Sequence, residues 1–159
     1  MVDIVHRIGA TAPRDRVYAA LSTAEGVARW WTTETTGSSE AGGTLLVRFG
    51  EVGGFDLEVV DVRPAELVVW EVVDGPQEWI GTRIRFELKE EDGFTIVLFR
   101  HGGWAEPVEF MYHCSTKWAT FLLSLKKLVE TGGGAPPLRT SRSATGTREL
   151  VLAVVGRRG

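Results

Sequence analysis

The sequence predicts an α+β fold in which a curved antiparallel sheet of six strands wraps around one long C-terminal helix. Three observations lead to this prediction. Short β-type segments follow one another with connections too short for crossover helices, a long helical pattern runs from Pro107 to Glu130, and two short helical patterns follow the first strand. A chain of 159 residues is suited to one domain with a single substantial core.

The first strand and both short helices are predicted within residues 2–31. Val2 to Ile8 is rich in β-branched residues, which favours a strand. Pro13 precedes a set of apolar residues at helical spacing, so a helix is expected to begin there. Ser22 followed three residues later by Glu25 forms a capping-box pattern, which predicts a second helix ending near Trp31.

Two adjacent tryptophans, Trp30 and Trp31, end this segment. Neighbouring residues of a helix point about 100° apart, so the two rings are not expected to enter one core site together. We expect one ring to anchor the short helices to the sheet and the other to lie at the entrance to a cavity. Pure core packing of both rings is the alternative, and bulky aromatic residues favour it.

Five further strands are predicted after Gly42, each bounded by glycine, proline or aspartate turn signals. They cover Thr44 to Phe49, Phe55 to Val62, Leu67 to Val73, Ile80 to Lys89 and Phe94 to Arg100. The fourth of these alternates most clearly, because every second residue from Ile80 to Leu88 is apolar or Thr82. Such alternation indicates one face in the interior and one in water, and therefore an antiparallel meander.

The long helix carries one apolar stripe and one polar face. The stripe comprises Met111, Cys114, Trp118, Phe121, Leu122, Leu125, Leu128 and Val129. The polar face comprises Glu109, His113, Lys117, Thr120, Ser124 and Lys127. A curved sheet that encloses such a helix leaves a space between the two, closed at one end by the short helices, and this arrangement is the helix-grip architecture.

Composition limits the classes of partner. The net charge of −3 gives no reason to expect nucleic acid or an anionic membrane. A single cysteine excludes an internal disulfide, and neither a secretory leader nor a membrane span is recognisable, so we expect a cytoplasmic protein. Residues 131–159 hold five arginines and one glutamate, which leaves residues 1–130 with a net charge of −7. We expect residues 138–159 to form a basic, flexible extension, with a strand at Leu150 to Val155 as an option.

Three stretches carry a resemblance to a known family. They are "TAPRDRVYAALSTAEGVARWWT", "VVDVRPAELVVWEV", and "LFRHGGWAEP" together with "STKWATFLLSLKKLVETGGGAPP". In these stretches the chain resembles the START-like (Bet v-type, SRPBCC) superfamily. It is most similar there to homologues of the C-terminal domain of the activator of the heat-shock-protein-ninety ATPase. The resemblance covers residues 2–137 and implies a START-like helix-grip domain with a cavity between sheet and helix. Relatives include lipid and hormone carriers, aromatic polyketide cyclases and chaperone activators, so the fold alone does not give the function.

The residues offer little support for catalysis or for a metal site. The spacing of His6, His101, His113 and Cys114 matches no zinc pattern, and no cofactor is implied. No nucleophile elbow is present, and Cys114 lies in the apolar stripe, where burial suppresses the thiolate. Asp56 and Glu58 should face water unless a β-bulge reverses the alternation of their strand.

Arg100 and His101 end the last predicted strand, next to two glycines. Either side chain could offer a hydrogen bond to a ligand at the entrance of the cavity. The alternative is that His101 is a turn residue, and the neighbouring glycines favour this alternative.

The leading hypothesis is therefore a protein that binds a small hydrophobic or amphipathic molecule and catalyses no reaction that we can identify. The candidate ligand-binding residues are Trp31, Phe49, Leu57, Trp70, Ile84, Phe86, Leu98, Arg100, His101, Met111, Tyr112 and Trp118. One alternative is an interaction protein that modulates a chaperone ATPase. Another is an aromatase/cyclase-type enzyme that uses Arg100 or His101 to polarise a carbonyl. Both a monomer and a homodimer are compatible with the sequence.

Overall fold

The computed structural model describes residues 1–133. The predicted basic extension, including Leu150 to Val155, lies outside the described residues. Within these residues there are seven strands, three helices and a 3-10 turn at Gly50–Val52. In chain order the elements are β1 (Val2–Ala10), α1 (Arg14–Leu21), α2 (Ala24–Ala28), β2 (Glu34–Gly37), β3 (Thr44–Arg48), β4 (Gly54–Arg63), β5 (Leu67–Asp74), β6 (Arg83–Glu91), β7 (Phe94–Trp104) and α3 (Glu109–Thr131).

All seven strands form one antiparallel sheet in the order β1-β7-β6-β5-β4-β3-β2. The predicted α+β class and helix-grip arrangement are confirmed, but the predicted number of six strands is too low. The additional strand is β2, an edge strand of sequence "ETTG" that pairs only with β3. Among its residues only Thr35 is buried, so the strand exists because β3 offers it a partner and not because of a hydrophobic pattern.

Strand β6 begins later than its alternation suggested. Thr82, Ile84, Phe86 and Leu88 point inward as predicted, but Ile80 is 50% exposed and precedes the strand. The segment before the strand is a tight turn in which Gly81 adopts a φ of 84°. That conformation favours glycine and interrupts the extended backbone, so the alternation is not continued towards Ile80.

The helix boundaries follow local capping chemistry. Pro13 stands directly before α1, and the side chain of Thr23, not Ser22, accepts a hydrogen bond from the Gly26 N–H at 2.9 Å to cap α2. Helix α3 ends at Gly132, whose φ of 81° is the left-handed conformation typical of a helix C-terminus.

The two ends of the fold differ. The end of β1 pairs with the start of β7, so α1 and α2 close that end. The β3–β4, β5–β6 and β7–α3 connections gather at the opposite end, beside the beginning of α3. Among the described residues, no helix combines the length and apolar character needed to span a membrane.

Candidate functional site

The space between the concave face of the sheet and α3 is lined and filled by aromatic rings. All six tryptophans are at most 1% exposed. We call this region the aromatic chamber, and it comprises Trp30, Trp31, Phe55, Trp70, Trp79, Phe86, His101, Trp104 and Trp118.

Trp31 lies at the centre of the aromatic chamber. Its ring stacks on Trp30 at 5.8 Å between centroids and lies 5.0 Å from the ring of Trp118. The expectation that the two adjacent rings would separate is therefore wrong, since both are fully buried. The reason is that α2 already ends at Ala28, so the pair occupies a turn in which the helical offset does not apply.

A second stack crosses the chamber from α3 to the sheet. The rings of Trp118 and Trp79 are 5.8 Å apart and 14° from parallel, and Trp79 stacks on Phe55 at 4.3 Å. Trp79 belongs to the β5–β6 connection. Its backbone N–H donates a hydrogen bond to the carbonyl of Pro76, and this turn directs the chain inward. No periodic pattern marks Trp79 or Trp104 in the sequence, whereas Phe55 begins a predicted strand whose alternation places it inward. None of the three is among the candidate ligand-binding residues.

His101 is an interior residue of β7 and is fully buried. Its Nδ1 accepts a hydrogen bond from the Trp118 indole at 3.1 Å, so its proton is placed on Nε2, which lies 2.7 Å from the Thr82 hydroxyl. The Thr82 hydroxyl in turn donates to the Trp79 carbonyl. Burial lowers the pKa of His101 to about 3, so the imidazole is neutral at physiological pH.

Neither sequence-based interpretation of His101 describes this arrangement. The residue is part of a strand rather than a turn, because β7 continues past the predicted end at Arg100 to Trp104. Both of its ring nitrogens already have partners within the protein, so it is not a free donor for a ligand.

Several polar atoms of the interior lack a hydrogen-bond partner. Among the described residues these are the indole nitrogens of Trp31, Trp79 and Trp104, one carboxylate oxygen of Glu78, and Nε2 of His113. Leaving a buried polar group unpaired costs about 1–3 kcal/mol. Three of these five atoms are N–H donors of chamber residues, so the chamber offers hydrogen-bond donors to an acceptor from outside the chain.

Cys114 faces the chamber from α3. Burial raises the pKa of its thiol to about 12, an effect that Trp79 opposes and Glu78 reinforces. The Trp79 indole N–H lowers this pKa by acting on the sulfur, which is a weak acceptor and leaves this donor without a strong partner. A thiol with so high a pKa is not a nucleophile at neutral pH, as its place in the apolar stripe suggested.

The predicted ligand-binding residues divide into two groups. The inward group is buried, and its members are Trp31, Phe49, Leu57, Trp70, Ile84, Phe86, His101 and Trp118, with the partly buried Met111 packed against them. Leu98, Arg100 and Tyr112, in contrast, do not face the chamber. Val97 and Phe99 point inward, so Leu98 and Arg100 lie on the outer face of β7, and Tyr112 is 61% exposed on α3.

The polar face predicted for α3 also needs one correction. Ser124 is only 7% exposed, and its hydroxyl donates to the Trp30 carbonyl at 2.8 Å. A small hydroxyl can be buried on a helix when a carbonyl is available to accept its proton. This bond joins α3 to the turn that carries the tryptophan pair.

Strand β4 keeps its acidic residues outside the chamber. Phe55, Leu57 and Val59 are buried, so Asp56 and Glu58 lie on the other face, where the Arg48 guanidinium contacts Asp56 at 2.6 Å. The pairing with β5 shifts between Asp56 and Leu57 and again between Val59 and Asp61. Neither irregularity turns Asp56 or Glu58 inward, because Phe55, Leu57 and Val59 remain the buried residues of the strand.

Metal ligands are not brought together in the described part of the chain. No group of three or more histidine, cysteine, aspartate or glutamate side chains there could hold a metal ion.

The chain matches one protein-family model and is similar to several solved structures. The family model described as "Activator of Hsp90 ATPase homolog 1-like protein" matches residues 11–130. A similar solved structure is that of the Aha1 dimer from Colwellia psychrerythraea, with 42% identity, a TM-score of 0.77, and coverage of 84% of this chain and 100% of that chain. No curated protein sequence matches the chain.

Two further solved structures share the fold. Protein BH1534 of Bacillus halodurans is 26% identical, with a TM-score of 0.64 and coverage of 82% of this chain and 98% of that chain. CalU16 from Micromonospora echinospora is 18% identical, with a TM-score of 0.70 and coverage of 94% of this chain and 80% of that chain. At such low identity the likeness to CalU16 shows the fold alone.

Proposed function

Since this chain belongs to the family of activator of Hsp90 ATPase homolog 1-like proteins, we propose that it binds a small, largely apolar molecule in the aromatic chamber. The molecule carries at least one hydrogen-bond acceptor, such as a carbonyl oxygen, and the protein binds it without catalysing a reaction. The superfamily fold is compatible with such binding, and the ligand class follows from the polar atoms of the chamber.

The observation that carries the proposal is the set of unpartnered indole N–H groups. Trp31, Trp79 and Trp104 each bury a donor, whereas the donors of Trp30 and Trp118 are paired with Ala20 and His101. An acceptor on a ligand would remove the cost of an unpaired donor, and the surrounding rings would cover its apolar surface. Flat aromatic compounds suit these walls because they can stack on the rings.

Access is easiest at the end of the fold where the connections gather. Trp79 lies in the β5–β6 connection and Trp104 is the last residue of β7. Either ring can move without unpairing the centre of the sheet, so a ligand can take the place of a ring that otherwise fills the chamber.

Carbonyl polarisation of the cyclase type is not supported by the two groups considered for it. Arg100 is on the outer face of the sheet and ion-paired with Asp3 at 3.0 Å. His101 is neutral and has both nitrogens bonded within the protein. Binding without chemistry is therefore the better interpretation.

A pair of probes tests the acceptor. We expect 2-acetylnaphthalene to bind about two- to tenfold more tightly than 2-isopropylnaphthalene, because only the first has a carbonyl oxygen to accept from an indole N–H. Isothermal titration calorimetry of the full chain measures both affinities. Failure of both compounds to bind would contradict the proposal.

Trp31 and Trp30 provide a matched pair of variants. Trp31→Phe deletes one of the three unpaired N–H groups and should reduce the preference for the acetyl compound. Trp30→Phe removes the same ring area, but the donor that it deletes already bonds the Ala20 carbonyl at 2.8 Å. This variant should therefore preserve the preference for the acetyl compound. The Trp30 variant should instead lose about 1–3 kcal/mol of stability, measured by urea denaturation.

A second candidate function is modulation of a chaperone ATPase through the protein surface. The match to the activator family favours it. Adding the purified chain to Hsp90 should then raise the rate of ATP hydrolysis, measured by phosphate release. An unchanged rate, together with no association in a pull-down, would exclude this candidate.

The 42% identical relative is described as a dimer, which supports a homodimer here as well. Sedimentation equilibrium should then give twice the chain mass of 17.5 kDa. A mass of one chain at all concentrations would contradict the dimer.

A further inference from the structure

The outer face of the sheet carries four arginines around one groove. Arg83 and Arg85 alternate along β6, Arg100 lies directly opposite Arg85 on β7, and Arg63 stands at the end of β4. Together with Val60, Asp61, Leu67, Val69 and Gly102 they line a groove of about 580 Å³. We call it the arginine groove, and it is separated from the aromatic chamber by the sheet.

The placement of Arg85 opposite Arg100 is unfavourable for folding. Like charges directly opposite each other on neighbouring strands destabilise a sheet. A local arrangement that opposes folding is commonly found where a protein has a function to perform. The register places two guanidinium groups side by side on an exposed face, where one anion from outside the chain can reach both.

The arginines are free to change partners. Each pairs with a carboxylate of the chain, at 3.6 Å for Arg63 with Asp61, 3.3 Å for Arg83 with Glu71, 3.5 Å for Arg85 with Glu87 and 3.0 Å for Arg100 with Asp3. Their side chains are 49% to 66% exposed. Ion pairs so exposed contribute little stability, so an incoming carboxylate can replace the internal one at small cost.

The floor of the groove is apolar. Leu67 and Val69 lie on the outer face of β5, and the bulge in β4 places Val60 beside Asp61 on the same face. Opposite Arg83 stands Gly102, which has no side chain to fill the groove. The groove thus combines an apolar strip with cations on its walls.

The charge of the surroundings selects among anionic partners. Residues 1–130 have a net charge of −7, and Asp61, Glu71 and Glu87 lie in or beside the groove. A long polyanion such as a nucleic acid would be repelled by these groups, whereas a short segment with separated carboxylates can contact the arginines alone. We propose that the arginine groove docks an acidic segment of another protein, in extended conformation, whose interspersed apolar side chains cover Val60, Leu67 and Val69.

Fluorescence anisotropy of the full chain tests this proposal. The probe is a fluorescein-labelled peptide of about eight residues, made of glutamates with two interspersed valines. The double variant Arg85→Gln/Arg100→Gln should weaken its binding by about tenfold, and added salt should weaken binding to the unaltered protein more than binding to the variant. The matched control is Arg7→Gln/Lys89→Gln, which removes two exposed cations that pair with Glu91 outside the groove and should leave the affinity within about twofold.

Three results would overturn the proposal. They are no saturable binding of the peptide, equal weakening by the control variant, and tighter binding of an oligothymidylate than of the peptide, which would assign the groove to nucleic acid. The affinity for 2-acetylnaphthalene reports on the aromatic chamber and should be the same in the double variant. A variant that loses this affinity too is misfolded, and Arg83→Gln with Arg63→Gln then repeats the peptide measurement on the same groove.

Discussion

At the scale of single residues, His101 shows how burial and hydrogen bonding fix the state of a titratable group. Its Nδ1 accepts a hydrogen bond from the Trp118 indole and its Nε2 faces the Thr82 hydroxyl, with no carboxylate among these partners. Burial disfavours the charged form, and this is why the pKa falls to about 3. The histidine therefore acts as a neutral connector between α3, the β5–β6 connection and β7.

This state makes stability depend on pH. The unfolded chain protonates His101 below its ordinary pKa of 6.5, whereas the folded chain does so only near 3. The stability contributed by the neutral imidazole is complete above pH 6.5 and decreases as the pH falls between these values. At pH 4.5 the loss amounts to about 2–3 kcal/mol relative to pH 7.

His101→Gln should remove this dependence, because an amide does not titrate and can still accept from one neighbour and donate to another. The free energies of unfolding of both proteins, measured with urea at several pH values, give the comparison. The lowered pKa of Glu130, which follows from its bond with the Thr11 N–H, affects both proteins equally and cancels in the difference. If the free energy of unfolding changed with pH in the same way for both proteins between pH 4.5 and 7, the pKa of His101 would not be lowered by folding.

At the scale of elements, the packing of α2 on α1 overrides helix propensity. Gly26 is an interior residue of α2, where alanine is ordinarily better by about 1 kcal/mol. Here a Cβ on residue 26 would lie 2.5 Å from the carbonyl oxygen of Ala19 and 2.8 Å from the Cα of Ala20. The close approach of the two helices therefore requires glycine.

Gly26→Ala should consequently destabilise the protein, by about 1–3 kcal/mol, since the clash involves backbone atoms that cannot rotate away. Thermal unfolding followed by circular dichroism measures the change. Thr23→Ser, which keeps the hydroxyl that caps α2, is the control and should remain close to the unaltered protein. A more stable alanine variant would mean that α1 and α2 are not in contact at this point.

At the scale of the whole molecule, Trp31 joins elements that are distant in sequence. Its ring contacts Phe55 of β4, Trp70 of β5, and Trp118 and Phe121 of α3. Because these contacts connect the sheet, the short helices and α3, we expect their loss to destabilise all three parts together.

Trp31→Ala should therefore lower the free energy of unfolding by about 3–5 kcal/mol, the range for an aromatic residue removed from a core. Guanidinium denaturation provides the measurement. Leu123→Ala on the solvent side of α3, where the leucine is 58% exposed, should change stability by less than about 0.5 kcal/mol. Similar losses in both variants would indicate that Trp31 is not central to the core.

Hydrophobic periodicity made the main helices and strands predictable, whereas strand pairing decided which residues of some strands face inward. The inward set of β6 and the buried stripe of α3 follow from residues close together in sequence. In β7 the consecutive residues Thr95, Ile96 and Val97 are all buried, so alternation gives no sign of which residues face inward. For this reason the sequence does not distinguish Leu98, which faces outward, from Phe99, which faces the chamber.

By itself, the sequence determined the helices and every strand except β2, the helix-grip arrangement, the family, and most of the buried residues. Only the tertiary structure decided that both tryptophans of the pair share one chamber, that His101 is held neutral between Trp118 and Thr82, and that Arg85 meets Arg100 across two strands. The physical reason is the range of the interactions. Hydrophobic periodicity and capping act over a few neighbouring residues, whereas stacking, buried hydrogen bonds and strand register join residues that only the folded chain brings together.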